Sequence, residues 1–129
     1  MKTQGEIESA ISDGMSRFEQ DYMGRGPKDI RVHLIDNLIL VRLQGVLTAA
    51  EQHLVKTFEH EKGRELLKQV RTQLIESARA TMEVMVQGIV GVKVVSLHHD
   101  ISTVTGEEVV MFTLEKSPLV RETKKVPGF

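Results

Sequence analysis

The sequence predicts an α+β domain in which two β-hairpins are separated by a long helical segment. Two observations predict it. Apolar residues recur at steps of three and four after Thr3 and again after Thr48, the period of an amphipathic helix. They alternate one by one at 30–43 and again at 108–115, the period of a strand with one buried face. With 129 residues, 40% of them apolar and 27% charged, the chain has the size and composition of one globular domain with its own core. We expect a four-stranded antiparallel sheet with helices packed on one face, spanning residues 4–116, and a weakly ordered tail at 117–129.

The elements follow in order. Thr3 and Glu6 have the spacing of a capping box, and Ile7, Ile11, Met15, Phe18 and Tyr22 form one helical face behind it. Gly24, Gly26 and Pro27 stop this helix, placed at about 4–23. Ile30, Val32 and Leu34 then alternate with polar positions up to Asp36-Asn37, a pair that tolerates the positive φ of a tight turn. A two-residue turn pairs Leu34 with Ile39, Val32 with Val41 and Ile30 with Leu43. It leaves Arg31 opposite Arg42 on the other face.

Thr48 and Glu51 form a second capping box, followed by an apolar side made of Leu54, Val55 and Phe58. Gly63 is expected to break or kink this helix. A continuous helix at 64–88 would carry Leu67, Val70, Leu74, Ala78, Met82, Met85 and Ile89 as its stripe. At 1.5 Å per residue it would be a rod of roughly 37 Å. Its end, Met82 to Val90, is apolar nearly all round, so we expect a homodimer to cover it. The second hairpin runs from Val92 to His99 and from Glu108 to Glu115, joined by a polar connection from Asp100 to Gly106.

Composition excludes several functions. Without cysteine there is no disulfide, thiol nucleophile or cysteine-bound metal. A net charge of −1, 4% aromatics and no Trp argue against a nucleic-acid partner. The N-terminus has no apolar leader, and the run from Val84 to Val95 is too short to cross a bilayer. The expectation is a soluble, cytoplasmic protein that does not insert directly into a membrane.

Two segments are candidate sites. Gly24, Arg25, Gly26 and Lys28, joined by Arg31 and Arg42, form a candidate anion site: glycines free the backbone amides and the cations add charge. The plain alternative is a loop that ends a helix and enters a strand. His98, Asp100, Thr103 and Thr105 form a candidate polar loop, the plain alternative being side chains bonded to local backbone. A metal on His98 and Asp100 would need a distant third ligand, His33 or Glu107, because His99 faces away from His98 in a strand. His53 and His60 are seven apart with no third ligand indicated, and Ser96, His98 and Asp100 lack the strand-turn-helix setting of a nucleophile. We therefore assign no catalytic residue, no metal and no cofactor.

Gly24-Arg25-Gly26-Pro27, the hairpin ending Leu43-x-Gly45-Val46-Leu47-Thr48-x-x-Glu51, the Arg-bearing helix, and Thr105-Gly106-Glu107 before Val110-x-Phe112-x-Leu114 together make a pattern. It resembles the MpsC-like family of small bacterial proteins over roughly residues 4–115. The resemblance implies association with a membrane system that translocates cations and supports membrane potential or inorganic-carbon uptake. It implies no catalytic residues. The expected function is a non-enzymatic soluble accessory protein with a membrane-protein partner. A small-anion or metabolite sensor is the alternative, and a metal-dependent enzyme the third reading.

Overall fold

In the computed structural model, which describes residues 1–57 and 60–122 apart from the side chains of Thr57 and His60, Thr3 caps the first helix in both directions. Its hydroxyl accepts from the Glu6 N–H at 3.1 Å, and the Glu6 carboxylate accepts from the Thr3 N–H at 2.9 Å. Helix α1 (Gln4–Phe18) buries Ile7, Ile11 and Met15. It continues as one π-helical turn, Glu19–Met23, closed by Gly24 in the left-handed region at φ 86°. Tyr22, expected on the buried stripe, is 46% exposed, and Glu19 takes the buried position instead.

Strands β1 (Asp29–Ile35) and β2 (Leu38–Gln44) pair in the expected register, including Leu34 with Ile39, Val32 with Val41 and Arg31 with Arg42. Asp36 supplies the positive φ of the turn, at 56°. Strands β3 (Val94–Ile101) and β4 (Glu108–Leu114) form the second hairpin, with a bulge between Val94 and Ser96. The antiparallel sheet has the order β1-β2-β4-β3, so the two hairpins join through β2 and β4. Its inner face, from Val32, Leu34, Ile39, Val41 and Leu43 to Val110, Phe112, Leu114 and Leu97, is buried under the helices.

The helical segment differs from the expected rod. Helices α2 (Ala49–Thr57) and α3 (His60–Ser77) precede α4 (Arg79–Val90). Gly63 does not break its helix but lies inside α3. The continuous helix at 64–88 is instead interrupted at Ala78, whose φ of −98° and ψ of 5° leave the α region. Its N–H is shared between the carbonyls of Leu74 at 3.1 Å and Ile75 at 3.2 Å. The break lets α3 follow α2 and β3 while α4 turns to pack on α1. The buried stripe also differs from the expected one: Leu67, Arg71, Ile75, Ala78, Met82, Val86 and Val90 are buried, whereas Val70 is 45% exposed.

Beyond the last strand, Pro118 is buried and Val120 packs on the core. The Arg121 N–H donates to the Lys2 carbonyl at 2.8 Å, and its guanidinium reaches Glu6 at 3.1 Å. The expected tail residues 123–129, with Lys124, Lys125 and Pro127, lie outside the described residues, as does Phe58.

Gly45 joins the first hairpin to the loop after the π turn. It sits at φ 69°, and a Cβ there would lie 2.6 Å from Lys28 Cγ. Gly45→Ala should therefore cost roughly 1–3 kcal/mol through backbone strain and displacement of Lys28, read as a lower urea midpoint with an unchanged slope.

Candidate functional site

Four elements each send one ionisable side chain into the same interior. Arg71 comes from α3, Glu108 from β4, His99 from β3 and Glu19 from the π turn; Arg71, Glu108 and Glu19 are at most 2% exposed. Arg71 is the centre. Its Nε donates to Glu108 Oε2 at 2.7 Å, its Nη1 to Glu51 Oε2 at 3.1 Å, and its Nη2 lies 3.9 Å from Glu19 Oε1. His99 Nε2 meets Glu108 Oε2 at 3.1 Å. Strand register explains that contact, because His99 pairs with Val110 and so stands diagonal to Glu108 on the inner face.

Glu51 has two roles. It closes the capping box with Thr48, one oxygen accepting from the Thr48 N–H at 2.9 Å, while the other accepts from Arg71. The start of α2 is thus tied to the cluster. Glu19 is the group left over. Among the described residues neither of its carboxylate oxygens has a hydrogen-bond partner.

Burial and charge separate the two innermost carboxyls. Burial pushes Glu19 up, the neighbouring Glu108 carboxylate adds to the push, and its pKa reaches about 9. Burial also pushes Glu108 up, but hydrogen bonds from His99 and Arg71 and the neighbouring Glu19 carboxyl outweigh it and hold Glu108 at about 2. Burial weakens the Arg71 cation, and the surrounding carboxylates more than compensate. At neutral pH the cluster holds Arg71 charged, Glu108 charged and Glu19 protonated.

This arrangement sets a pH dependence. Glu19 is raised in the fold, so its contribution is fully present below the unfolded value of 4.5 and is lost as pH rises towards about 9. Glu108 is lowered, so its contribution is present above 4.5 and is lost as pH falls towards about 2. Together they predict greatest stability near pH 4.5. The alkaline limb should fall by at most about 1.4 kcal/mol per pH unit. Urea midpoints measured from pH 4 to pH 9 check this, and Glu19→Gln should flatten the alkaline limb.

The residues singled out from sequence lie elsewhere. In the Gly24–Lys28 loop, the N–H groups of Gly24 and Arg25 donate to the Glu19 carbonyl, that of Gly26 to Gln20 Oε1, and that of Lys28 to the Gln44 carbonyl. Arg25 Nε donates to the Gly45 carbonyl at 3.2 Å. These donors strap the loop to the end of β2. Arg31 pairs with Asp29 at 3.3 Å and Arg42 with Glu107 at 2.8 Å, so acidic neighbours relieve the like charges across the hairpin. Asp29, Arg31, Arg42, Gln44 and Glu107 line a shallow cleft of about 270 Å³.

His98 and Asp100 are exposed on the outer face of the sheet. Asp100 is held below the usual range, first by a backbone hydrogen bond at Ile101 and also by Lys68, whose Nζ lies 3.2 Å away. Thr103 and Thr105 instead line a groove with Gly45 and Lys56. The register runs His33, Leu40, Met111, His98 across four strands. Adjacent strands are about 4.8 Å apart, which puts His33 and His98 about 14 Å apart, too far to share a metal ion. Among the described residues no group of three His, Asp or Glu side chains is placed to hold a metal.

A second feature lies where α1 and the π turn face α4. Phe18 and Tyr22 stack with ring centroids 5.1 Å apart. With Gly14, Ala78, Met82 and Met85 they line an apolar groove of about 350 Å³ between α1 and α4.

Against known proteins, the family model described as Na+-translocating membrane potential-generating system (MpsC) matches residues 3–116. The chain is 38% identical to the uncharacterized protein YbcI of Bacillus subtilis (strain 168) over 88% of this chain and 89% of that one. It is 30% identical to the uncharacterized protein YrhF of the same organism, over 82% of this chain and 85% of the other. No solved structure matches.

Proposed function

The chain belongs to the MpsC family, and from that premise we propose that it is an accessory component of a Na+-translocating, membrane-potential-generating system. In this reading it acts by docking to membrane-embedded partners and does not itself turn over a substrate. Among the described residues no helix is long and apolar enough to cross a membrane. The observation that carries the reading is the burial of the ionisable cluster. Arg71, Glu19 and Glu108 are out of reach of a dissolved substrate, so they serve the fold and its conformations. The test is reconstitution. Everted membrane vesicles from cells that lack this chain but keep the membrane components should generate a reduced Na+-dependent potential, restored by adding the purified protein. An equally large potential without it contradicts the proposal.

The proposal includes a second copy. On α4 the apolar side chain of Val84 is 68% exposed, while Met82 and Met85 of the same helix line the α1–α4 groove. Sedimentation equilibrium should give a dimer for the native chain and a monomer for Val84→Lys; a monomeric native chain contradicts this part.

A second reading, small-anion sensing, is favoured by one observation: Arg31 and Arg42 stand directly opposite each other on an exposed face. An anion there would compete with Glu107 for Arg42. Bicarbonate and phosphate titrations followed by amide NMR should then move Arg42 and Glu107 first, and unmoved signals there would end this reading.

A further inference from the structure

The π turn is held on one side by its backbone and on the other by a carboxyl group in the wrong surroundings for a charge. The Glu19 carbonyl accepts from the N–H groups of both Gly24 and Arg25, so this residue anchors the whole exit from α1. The next residue, Gln20, accepts from the Gly26 N–H, and Arg25 and Lys28 tie the strand entry to Gly45 and Gln44. Residues 18–28 thus form one strap, fastened at its far end to Gln44 and Gly45 and at its near end to the interior through the Glu19 side chain. π turns within helices are unusual and are found disproportionately where a helix has a job besides packing.

We propose that Glu19 is a proton-operated latch: uncharged, it holds the π turn against α3 and the sheet, and on losing its proton it releases residues 18–28 and reshapes the α1–α4 groove.

The groups facing Glu19 make the argument. From α3 comes Arg71, from β4 Glu108, from β3 His99 through its contact with Glu108, and from the start of α2 Glu51. Arg71 is engaged at 2.7 Å by Glu108 and at 3.1 Å by Glu51, and approaches Glu19 only to 3.9 Å. One guanidinium therefore already answers two carboxylates. A third negative charge in the same interior would have no water and only Arg71 Nη2, 3.9 Å away and beyond hydrogen-bond distance, to answer it, a situation proteins avoid by neutralising the group or moving it to water. Phe18, just before the π turn, and Tyr22, within it, are partly exposed, so the turn has an open side. The way out to water for Glu19 is a rearrangement of the strap. The stack of Phe18 on Tyr22 forms one wall of the groove, so opening the latch changes that wall.

The chain has one tyrosine, Tyr22, and no tryptophan, so its aromatic near-ultraviolet signal from tyrosine comes from the strap itself. We expect near-ultraviolet circular dichroism of the full chain to be flat up to pH 7 and to change progressively from there to pH 9, while the far-ultraviolet spectrum stays constant. Glu19→Gln should hold the low-pH signal throughout. Hydrogen exchange of the native chain, corrected for the intrinsic pH effect, should lose protection at 18–28 at pH 9 while the sheet keeps its own. This second measurement decides the matter if Glu19→Gln does not fold. A flat signal in the native chain, the same transition surviving in Glu19→Gln, or a loss of protection spread evenly over the sheet would each overturn the proposal.

Discussion

Arg71→Leu is expected to cost roughly 3–5 kcal/mol, because it removes the cation and leaves Glu108 charged in the interior. The fold would lose the 2.7 Å bond to Glu108 and the 3.1 Å bond to Glu51 together. The magnitude comes less from those bonds than from the carboxylate left behind. A triple substitution separates the two causes. If Glu108 and Glu19 are also replaced by Leu, no buried charge remains and most of the loss should return, since apolar replacement of a whole buried ion cluster is often neutral. Glu51 is 21% exposed and can turn to water. Urea denaturation of the single and triple variants checks this. A single variant as stable as the native chain would show that Arg71 does not balance buried charge.

Phe112→Ala is the other large effect, and it concerns the sheet alone. Phe112 is fully buried at the centre of β4, paired with Ile39 on one side and Leu97 on the other. It is thus the bridge between the two hairpins. Removing the ring leaves a cavity flanked by three strands that cannot close on it, and the expected cost is roughly 3–5 kcal/mol. The denaturation slope should stay the same, since the unfolded chain exposes nearly the same surface. Unlike Arg71→Leu, this loss should not depend on pH between 5 and 9. That contrast separates packing from charge as the source of stability.

Much of the fold could be read from the residues. The first hairpin needed only the alternation of Ile30, Val32 and Leu34 with their partners and a turn at Asp36, and its register is as expected. Both capping boxes form, at Thr3 and at Thr48. The long helix was misread because nothing in its apolar pattern marks Ala78 as a break. Alanine is the best helix former, and the interruption comes from two helices needing different partners.

The cluster was missed for one reason, repeated. Glu19 follows Ile7, Ile11 and Met15 at steps of four; Arg71 lies between Leu67 and Ile75; Glu108 precedes Val110, Phe112 and Leu114 at steps of two. Each charged residue stands at the core phase of its own element. A stripe drawn through apolar residues alone takes Val70 and Leu74 on α3 and leaves out Arg71. A usable signal was present: charges of both signs at core phase on separate elements are affordable in an interior only when they meet. The polar loops drew attention because their polar groups are contiguous, whereas the buried groups are scattered over Glu19, Arg71, His99 and Glu108 and converge only in the fold.

The protonation of the two buried carboxyls tests this account most directly. Carbon-detected NMR of the full chain, labelled at the glutamate side chains, reads the ionisation of each carboxyl across pH. The account predicts that Glu19 is still protonated at pH 7 and titrates towards about 9, while Glu108 is still ionised at pH 3. Both carboxyls titrating together near the ordinary glutamate value, about 4.3, would contradict it.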